Sequence, residues 1–303
     1  MTDVTDPELA AAAPSADRDA EAAARRSGVV IADLRDIPHI EAACALLTRI
    51  WGNPPGLPVI EPHMVRAFAL SGEQVLSAYE VHHPDDPDHM VGVSVAWFGR
   101  DQDGEHLHSH ITGVAPGMQG RDIGFALKQR QRAWALGRGI GTIRWTFDPL
   151  IRRNAFFNLC KLGALADKYY INLYGAMTDA TNLGDESDRF EVSWRLTDTR
   201  VVQAAKGTEI ELDLENLRSL GAEVVLDEGD DGEPVELPSE ASVLLARVPA
   251  DALRMRAQEP PLALAWRQAA RFVLGGALAD GFVATGVTRG GWYVLTRPEG
   301  TPA

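Results

Sequence analysis

The stretch "VAPGMQGRDIGFALK" (Val114–Lys128) decides the fold. A short apolar run ends at Pro116-Gly117, Gln119-Gly120-Arg121 follow, and a helical pattern begins at Gly124. A strand is handing over to a helix. The start of a helix carries N–H groups without intrahelical partners and the positive end of its dipole, which suits an anion such as phosphate. Residues of little bulk let those N–H groups come close to a ligand. Gln119, Gly120, Arg121 and Gly124 meet that need, and the alternative is an ordinary helix start with Gly120 in a turn. Other phosphate loops are excluded. No G-x-x-x-x-G-K-[ST] occurs, and "GRGIG" (Gly137–Gly141) follows a helix and is too short for G-x-G-x-x-G.

Working outward, "GVVIADL" (Gly28–Leu34) reads as a first strand. "DIPHIEAACALLTRIWG" (Asp36–Gly52) and "EPHMVRAFAL" (Glu61–Leu70) have apolar residues at helical spacing. "EQVLSAYEV" (Glu73–Val81), "HMVGVSVAWFG" (His89–Gly99) and "EHLHSHITGVAP" (Glu105–Pro116) form a three-strand meander, its first turn the charged "HHPDDPD". The helix "GRDIGFALKQRQRAWALGRGIG" (Gly120–Gly141) then crosses over to "TIRWTFDPL" (Thr142–Leu150), a strand parallel to the previous one. "RRNAFFNLCKLGA" (Arg152–Ala164) is a further helix and "DRFEVSWRL" (Asp188–Leu196) a further strand.

Beyond residue 200 the pattern changes. "LDEGDDGEPVELPSE" (Leu226–Glu240) reads as an acidic loop, "ASVLLARVP" (Ala241–Pro249) as a strand and "LALAWRQAARFVLGGALADG" (Leu262–Gly281) as an amphipathic helix with Trp266 in the core. "FVATGVTRGGWYVLTR" (Phe282–Arg297) reads as two strands around a glycine turn. The expected organisation is a disordered leader over 1–27, a catalytic domain over 28–200 and a C-terminal extension over 201–303. The class is α/β (α+β): a mixed central sheet with flanking helices, plus a strand–helix–strand–strand extension.

The chain has 303 residues, with 43 acidic and 29 basic side chains and a net charge of −14. Such a surface argues against nucleic acid and anionic membranes as partners. Basic residues nevertheless gather between Arg121 and Lys161, which suggests a local anion site. Two cysteines, Cys44 and Cys160, cannot make a disulfide framework, and their use fits a reducing cytoplasm. No run of eighteen apolar residues occurs, and the acidic N-terminal stretch lacks the apolar segment of a secretory signal.

The order of elements, the "QGRDIG" loop and the "NAFFNLCKLGA" helix together resemble the GNAT family of acyl-CoA-dependent N-acyltransferases, over about Gly28 to Leu196. The chain is similar to an uncharacterised bacterial branch of it, some members of which resemble amino-acid N-acyltransferases. The resemblance implies acetyl-CoA or another acyl-CoA as co-substrate, with succinyl-CoA an option. It also implies a small-molecule amine acceptor and direct attack in a ternary complex, without a metal. By that resemblance Gln119, Gly120, Arg121, Ile123 and Gly124 bind the coenzyme pyrophosphate. Ile111, Gly113 and Val114 run beside the pantetheine arm, and Asn154 contacts it. Two positions depart from the family pattern. Asp122 stands where the family prefers glycine, and Leu159 where it places a general-acid tyrosine.

Acylation of an amine needs a base for its proton and an N–H donor for the tetrahedral oxyanion. His106, His108 and His110 alternate along one strand and share a face. His106 is expected to be exposed, and His108 or His110 to act as base. The alternative for the three is a zinc site in a metal-dependent enzyme. Asp148, at a strand end, is either a catalytic group or a turn residue before Pro149. Arg152 and Arg153 bind a substrate carboxylate or a coenzyme phosphate, or are solvated charges. Tyr174, with Tyr169 and Tyr170, offers a substitute acid or a substrate wall, or packs. The tail walls the acceptor groove or makes a homodimer surface. A further alternative is a coenzyme A-binding module without turnover, which Leu159 and Asp122 favour.

Overall fold

Gly28 marks the first junction in the chain. It ends helix α1 (Pro7–Ser27) in the left-handed conformation, at φ 66°, where a side chain would be strained. At the other end Asp6 accepts a hydrogen bond from the Glu8 N–H at 2.9 Å. The computed structural model describes residues 6–54 and 57–297. They divide into two compact units. One holds the chain up to Trp145 with residues 178–181 and 195–206, and the other holds 146–177, 182–194 and the chain from Gly207 on. The chain passes from the first unit to the second inside a strand, after Trp145, and for the last time after Lys206.

In the first unit, α1 is followed by β1 (Val29–Asp33), α2 (Ile37–Trp51), α3 (Pro62–Leu70), β2 (Gln74–Glu80), β3 (Met90–Asp101), β4 (Gly104–Val114), α4 (Ile123–Leu136) and β5 (Thr142–Phe147). The strands lie in the order β1-β2-β3-β4-β5. Neighbours are antiparallel until β4 and β5, which pair in parallel at Leu107↔Ile143 and His108↔Arg144. The crossover between them is α4, as a parallel connection requires. On one face of the sheet Ile40, Leu47, Val65, Val93, Val95 and Ile111 form a core with α2 and α3. On the other lies α4, close enough to β3 that a Cβ on Gly92 would meet Leu127 at 3.0 Å.

Of the disordered leader expected over 1–27, residues 1–5 lie outside the described residues, and 7–27 form α1 instead. Ala16, Ala20 and Ala23 are buried at helical spacing, and the helix packs on α4. Asp17 and Asp19 pair with Arg130 and Arg132 of α4, each at 3.3 Å. Alanine is the best helix former and leaves room for close helix contact. Low hydrophobicity in this segment therefore reflects a narrow interface and not the lack of one. Covered by the sheet and by α1, α4 is buried nearly all round, Lys128, Gln129, Gln131 and Arg132 included.

The second unit takes up the end of β5, then α5 (Arg152–Ala155), which continues as a π-helical turn over Phe156–Lys161, β6 (Leu165–Tyr170) and β7 (Arg189–Arg195). After α6 (Thr199–Ala205), a member of the first unit, it continues with α7 (Leu214–Ser219), β8 (Glu223–Glu228), β9 (Pro234–Glu236), β10 (Val243–Arg247), α8 (Ala252–Gln258) and α9 (Pro260–Ala270). A π-helical turn over Arg271–Gly275, α10 (Gly276–Ala279), β11 (Val283–Val287) and β12 (Trp292–Thr296) complete it. Its strands run β7-β6-β11-β12-β10-β8-β9. The acidic segment 226–240, expected as a loop, instead contributes the β8–β9 hairpin, paired from Leu226↔Glu236 to Glu228↔Pro234.

Candidate active site

Strand β4 carries the feature that shapes this site. Val95 pairs with Ile111 and Ala96 with Ser109, so His110 is an extra residue, a β-bulge. The bulge breaks the alternation of faces. Ser109 meets Gln131 of α4, and Thr112, three residues on, meets Ser94, itself bonded to Gln131. Ile111 joins the core on the α2 and α3 side, and Gly113 there approaches Trp51 so closely that a Cβ would lie 2.7 Å from its ring. The residues expected along the pantetheine arm thus present different faces. Ile111 and Gly113 are buried and Val114 is half-buried.

The histidines divide in the same way. His106, expected to be exposed, is 9% exposed and packs over Gly99. His108 is half-buried and His110 exposed. Both rings flank Trp97, at centroid distances of 5.0 and 4.9 Å, and lie 5.9 Å from each other. Trp97 in turn stacks on Phe68 at 4.9 Å. Desolvation, with smaller contributions from His110, His106 and Lys128, lowers the His108 pKa to about 4. Desolvation lowers His110 as well. Both imidazoles are therefore neutral at pH 7 and can accept a proton.

After β4 the chain reaches α4 through a loop with Gly117 at φ 83°, Gly120 at φ 79° and Asp122 at φ 59°. Asp122 is the residue before the first helical turn. Its left-handed backbone explains the preference for glycine there, and aspartate is among the few other residues that adopt it readily. Gln119, Gly120 and Arg121 are exposed, Gly124 is half-buried and Ile123 anchors the helix in the core. The Ala126 N–H bonds back to the Asp122 carbonyl at 3.0 Å, so the N–H groups ahead of it have no carbonyl one turn back within the helix. A left-handed residue beside a right-handed one is the backbone pattern of an anion-binding nest, and Asp122 followed by the first helical residue has that pattern.

Beneath the bulge lies a buried polar network that sequence reading missed. The Lys128 Nζ donates to Ser109 Oγ at 3.1 Å and Gln131 Oε1 at 2.8 Å, and sits 3.6 Å from the centre of the Trp145 ring. Ser109 Oγ donates to Gln131 Oε1 at 3.0 Å, and Gln131 Nε2 to Ser94 Oγ at 2.9 Å. Lys128 is 3% exposed, and desolvation moves its pKa well below the ordinary lysine value. The sequence signal was a run of polar residues (Lys128, Gln129, Gln131, Arg132) on several faces of one helix.

The remaining expected residues fold with the second unit. Asp148 is corrected as a catalytic candidate. It is paired with Arg256 and with Arg267 at 3.0 Å, and its Oδ1 accepts from the Leu150 N–H at 2.9 Å. Burial would raise its pKa, but the two guanidinium charges hold it at about 2. A carboxylate so held does not take up a proton at neutral pH. Asp185 completes the cluster, with Arg267 at 2.7 Å and Arg256 at 2.8 Å. Arg152 donates to the Val248 carbonyl, which employs the fork expected for an anionic ligand. Arg153 and Asn154 are exposed on α5. Tyr174 is exposed, with its hydroxyl 3.0 Å from Thr146 Oγ1. Tyr169 donates to Asp188, and burial raises its pKa, which removes it as an acid. Leu159 is fully buried.

No family model matches the chain, and no curated protein does. Solved structures of N-acetyltransferases match part of it. Naa20 of Chaetomium thermophilum, in complex with a bisubstrate analogue, is 15% identical with a TM-score of 0.42, over 55% of this chain and 86% of that one. The putative acetyltransferase yncA of Salmonella typhimurium, with acetyl-CoA, is 14% identical at a TM-score of 0.42, over 56% and 95%. The ribosomal-protein-S18-alanine N-acetyltransferase of Escherichia coli is 14% identical at 0.41, over 55% and 94%. Likeness of this size assigns no role to any residue here.

Proposed function

We propose that this chain is an acyl-CoA-dependent N-acyltransferase of the GNAT type that acylates a primary amine by direct attack in a ternary complex. The observation that carries the reading is the bulged β4 running into the left-handed loop at the head of α4, with β5 parallel to β4. The backbone of Gln119, Gly120, Arg121, Ile123 and Gly124 cradles the coenzyme pyrophosphate. Ile111, Gly113 and Val114 follow its arm, and Asn154 is the contribution of α5. His110, exposed and neutral, takes the proton of the attacking amine, and His108 stands beside it. Backbone N–H groups freed from the ladder at the bulge polarise the thioester carbonyl. A coenzyme thiolate is a good leaving group, so the transfer proceeds with Leu159 in place of an acid.

Acetyl-CoA is the default donor. Succinyl-CoA is the second, with Arg153 as the exposed guanidinium for its carboxylate and Tyr174 as a wall for the acceptor, an amino acid or a related amine. The absence of any described helix long and apolar enough to cross a membrane fits action on a small solute in the cytoplasm. The tail is proposed as groove wall or homodimer surface.

The test is calorimetric titration of acetyl-CoA, succinyl-CoA and coenzyme A, followed by thiol release over a panel of amines. Gly124→Glu places bulk and charge in the cradle and abolishes coenzyme binding with the fold intact. Binding retained in that variant overturns the loop assignment. Tight coenzyme binding without thiol release from any amine leaves the second reading, a binding module, which the fully buried Leu159 favours.

A further inference from the structure

The turn between β2 and β3 brings together side chains that the proposed transfer reaction does not use. His83, Asp86 and His89 each place one ligand atom within 4.8 Å of the others. The two imidazole rings lie face to face, with centroids 3.7 Å apart and planes 7° from parallel. The backbone fixes their approach. The His83 N–H bonds to the Glu80 carbonyl at 2.9 Å and the His89 N–H to the Asp86 carbonyl at 3.0 Å. Asp86 Oδ1 accepts from the Asp88 N–H at 3.0 Å, while Oδ2 lies 4.0 Å from His89 Nε2. The other ring nitrogen of His89, Nδ1, lies 3.8 Å from Glu80 Oε2.

We propose that this turn is a binding site for a zinc-like divalent cation, held by His83, Asp86 and His89, with water as the fourth ligand. Two imidazoles and one carboxylate around an open position suit Zn²⁺, which takes nitrogen and oxygen ligands tetrahedrally. Bonds of about 2.0 Å in that geometry need ligand atoms about 3.3 Å apart. Closing the site therefore requires each ring to turn out of the stack about its side-chain torsions, until its in-plane lone pair points at the ion. Glu80 faces the ring nitrogen of His89 opposite the ligating one, where a carboxylate orients a metal-bound imidazole and raises its basicity. His39 is not a competing ligand. Its Nδ1 is bonded to Asp36 at 2.6 Å and its Nε2 to the Asp85 carbonyl at 3.1 Å, which ties the turn to the start of α2. The zinc alternative expected from sequence lay on His106, His108 and His110. Among the described residues the ligand atoms that converge are those of the turn. The ion would clasp the turn that joins β2 to β3.

The test uses the full chain stripped with chelator and titrated with ZnCl2, MgCl2 and CaCl2 separately. The expected result is one Zn²⁺ per chain, a rise in melting temperature of several degrees, and no saturable response to Mg²⁺ or Ca²⁺. His83→Ala and His89→Ala each weaken zinc binding at least tenfold. Glu80→Gln weakens it about tenfold, the loss typical of an outer-shell partner. His106→Ala leaves it unchanged. Circular dichroism establishes that the turn variants, which alter exposed or half-buried side chains, are folded. Lack of saturable zinc binding overturns the proposal, as does binding that survives the His83→Ala/His89→Ala double substitution. Both readouts are independent of acyl-CoA, so they stand or fall apart from the proposed transfer activity.

Discussion

Each unit of this protein buries a polar network, and the two are made of different material. In the second unit, carboxylates meet guanidiniums: Asp148 and Asp185 with Arg256 and Arg267, and Asp188 with Arg271 at 2.8 Å. In the first, hydroxyls, an amide and an amine meet beneath a strand bulge: Ser94, Ser109, Thr112, Gln131 and Lys128. The contrast separates two uses of buried polarity. Opposed charges lock each other's protonation states, and such a cluster holds loops and helices in one arrangement. Hydroxyl and amide contacts place no fixed negative charge beside the histidines of β4, whose protonation then follows desolvation and can respond to pH. Asp148, which the sequence leaves as either a catalytic group or a turn residue, is a fastener within this cluster. The groups suited to proton exchange stand on the bulged strand.

The largest effect should come from breaking the charged cluster. Arg267→Met leaves Asp148 and Asp185 short of a partner, and urea denaturation should show a loss of about 3–5 kcal/mol. A loss below 1 kcal/mol would erase the distinction between the two networks. The next effect is one of pH. His108 is held neutral, its pKa lowered from 6.5 to about 4, so the unfolded chain takes the proton first as pH falls. Stability should drop between pH 6.5 and 4, by at most about 3 kcal/mol, and level off below. His108→Asn should flatten that part of the profile. His39 acts in the opposite sense. Its bond to Asp36 raises its pKa, so its contribution is complete below pH 6.5 and fades as pH rises through the raised value.

A smaller effect is expected from Lys128→Met, which replaces a buried amine by an apolar chain of similar length. Stability should change by about 1 kcal/mol or less, because no opposed charge is stranded. A loss as large as that of Arg267→Met would mean that both networks work alike. The smallest concerns Arg153→Ala, an exposed position. Stability should stay within about 0.5 kcal/mol, while KM rises for succinyl-CoA and not for acetyl-CoA.

Much of the fold was legible because periodicity reports burial. Strands 74–80, 90–101 and 104–114 and helices 37–51 and 62–70 lie where alternation and helical spacing put them. Segments whose burial is paid out in small residues or short pairs escaped. Helix α1 is buried through alanines, and the β8–β9 hairpin uses a three-residue strand, Pro234–Glu236, within an acidic run. The strand-to-helix junction was legible from its glycines. The role of Asp148 was not, since its partners Arg256 and Arg267 lie over a hundred residues along the chain and nothing local announces them. The turn histidines were visible as composition, but their convergence depends on the hairpin's geometry.

The extra residue at His110 also bears on how this strand can change over time. Deleting His110 would leave Ser109 opposite Ala96 and Ile111 opposite Val95, so the side chains would keep their faces while the N–H groups freed at the bulge returned to the ladder. An insertion or loss between Ile111 and Val114 would instead exchange inside for outside on one side of the change, at the cost of the Ile111 niche or the Thr112–Ser94 bond. Length, rather than identity, is what this short segment can least afford to vary. Point substitutions should be tolerated there far more often than single-residue insertions or losses.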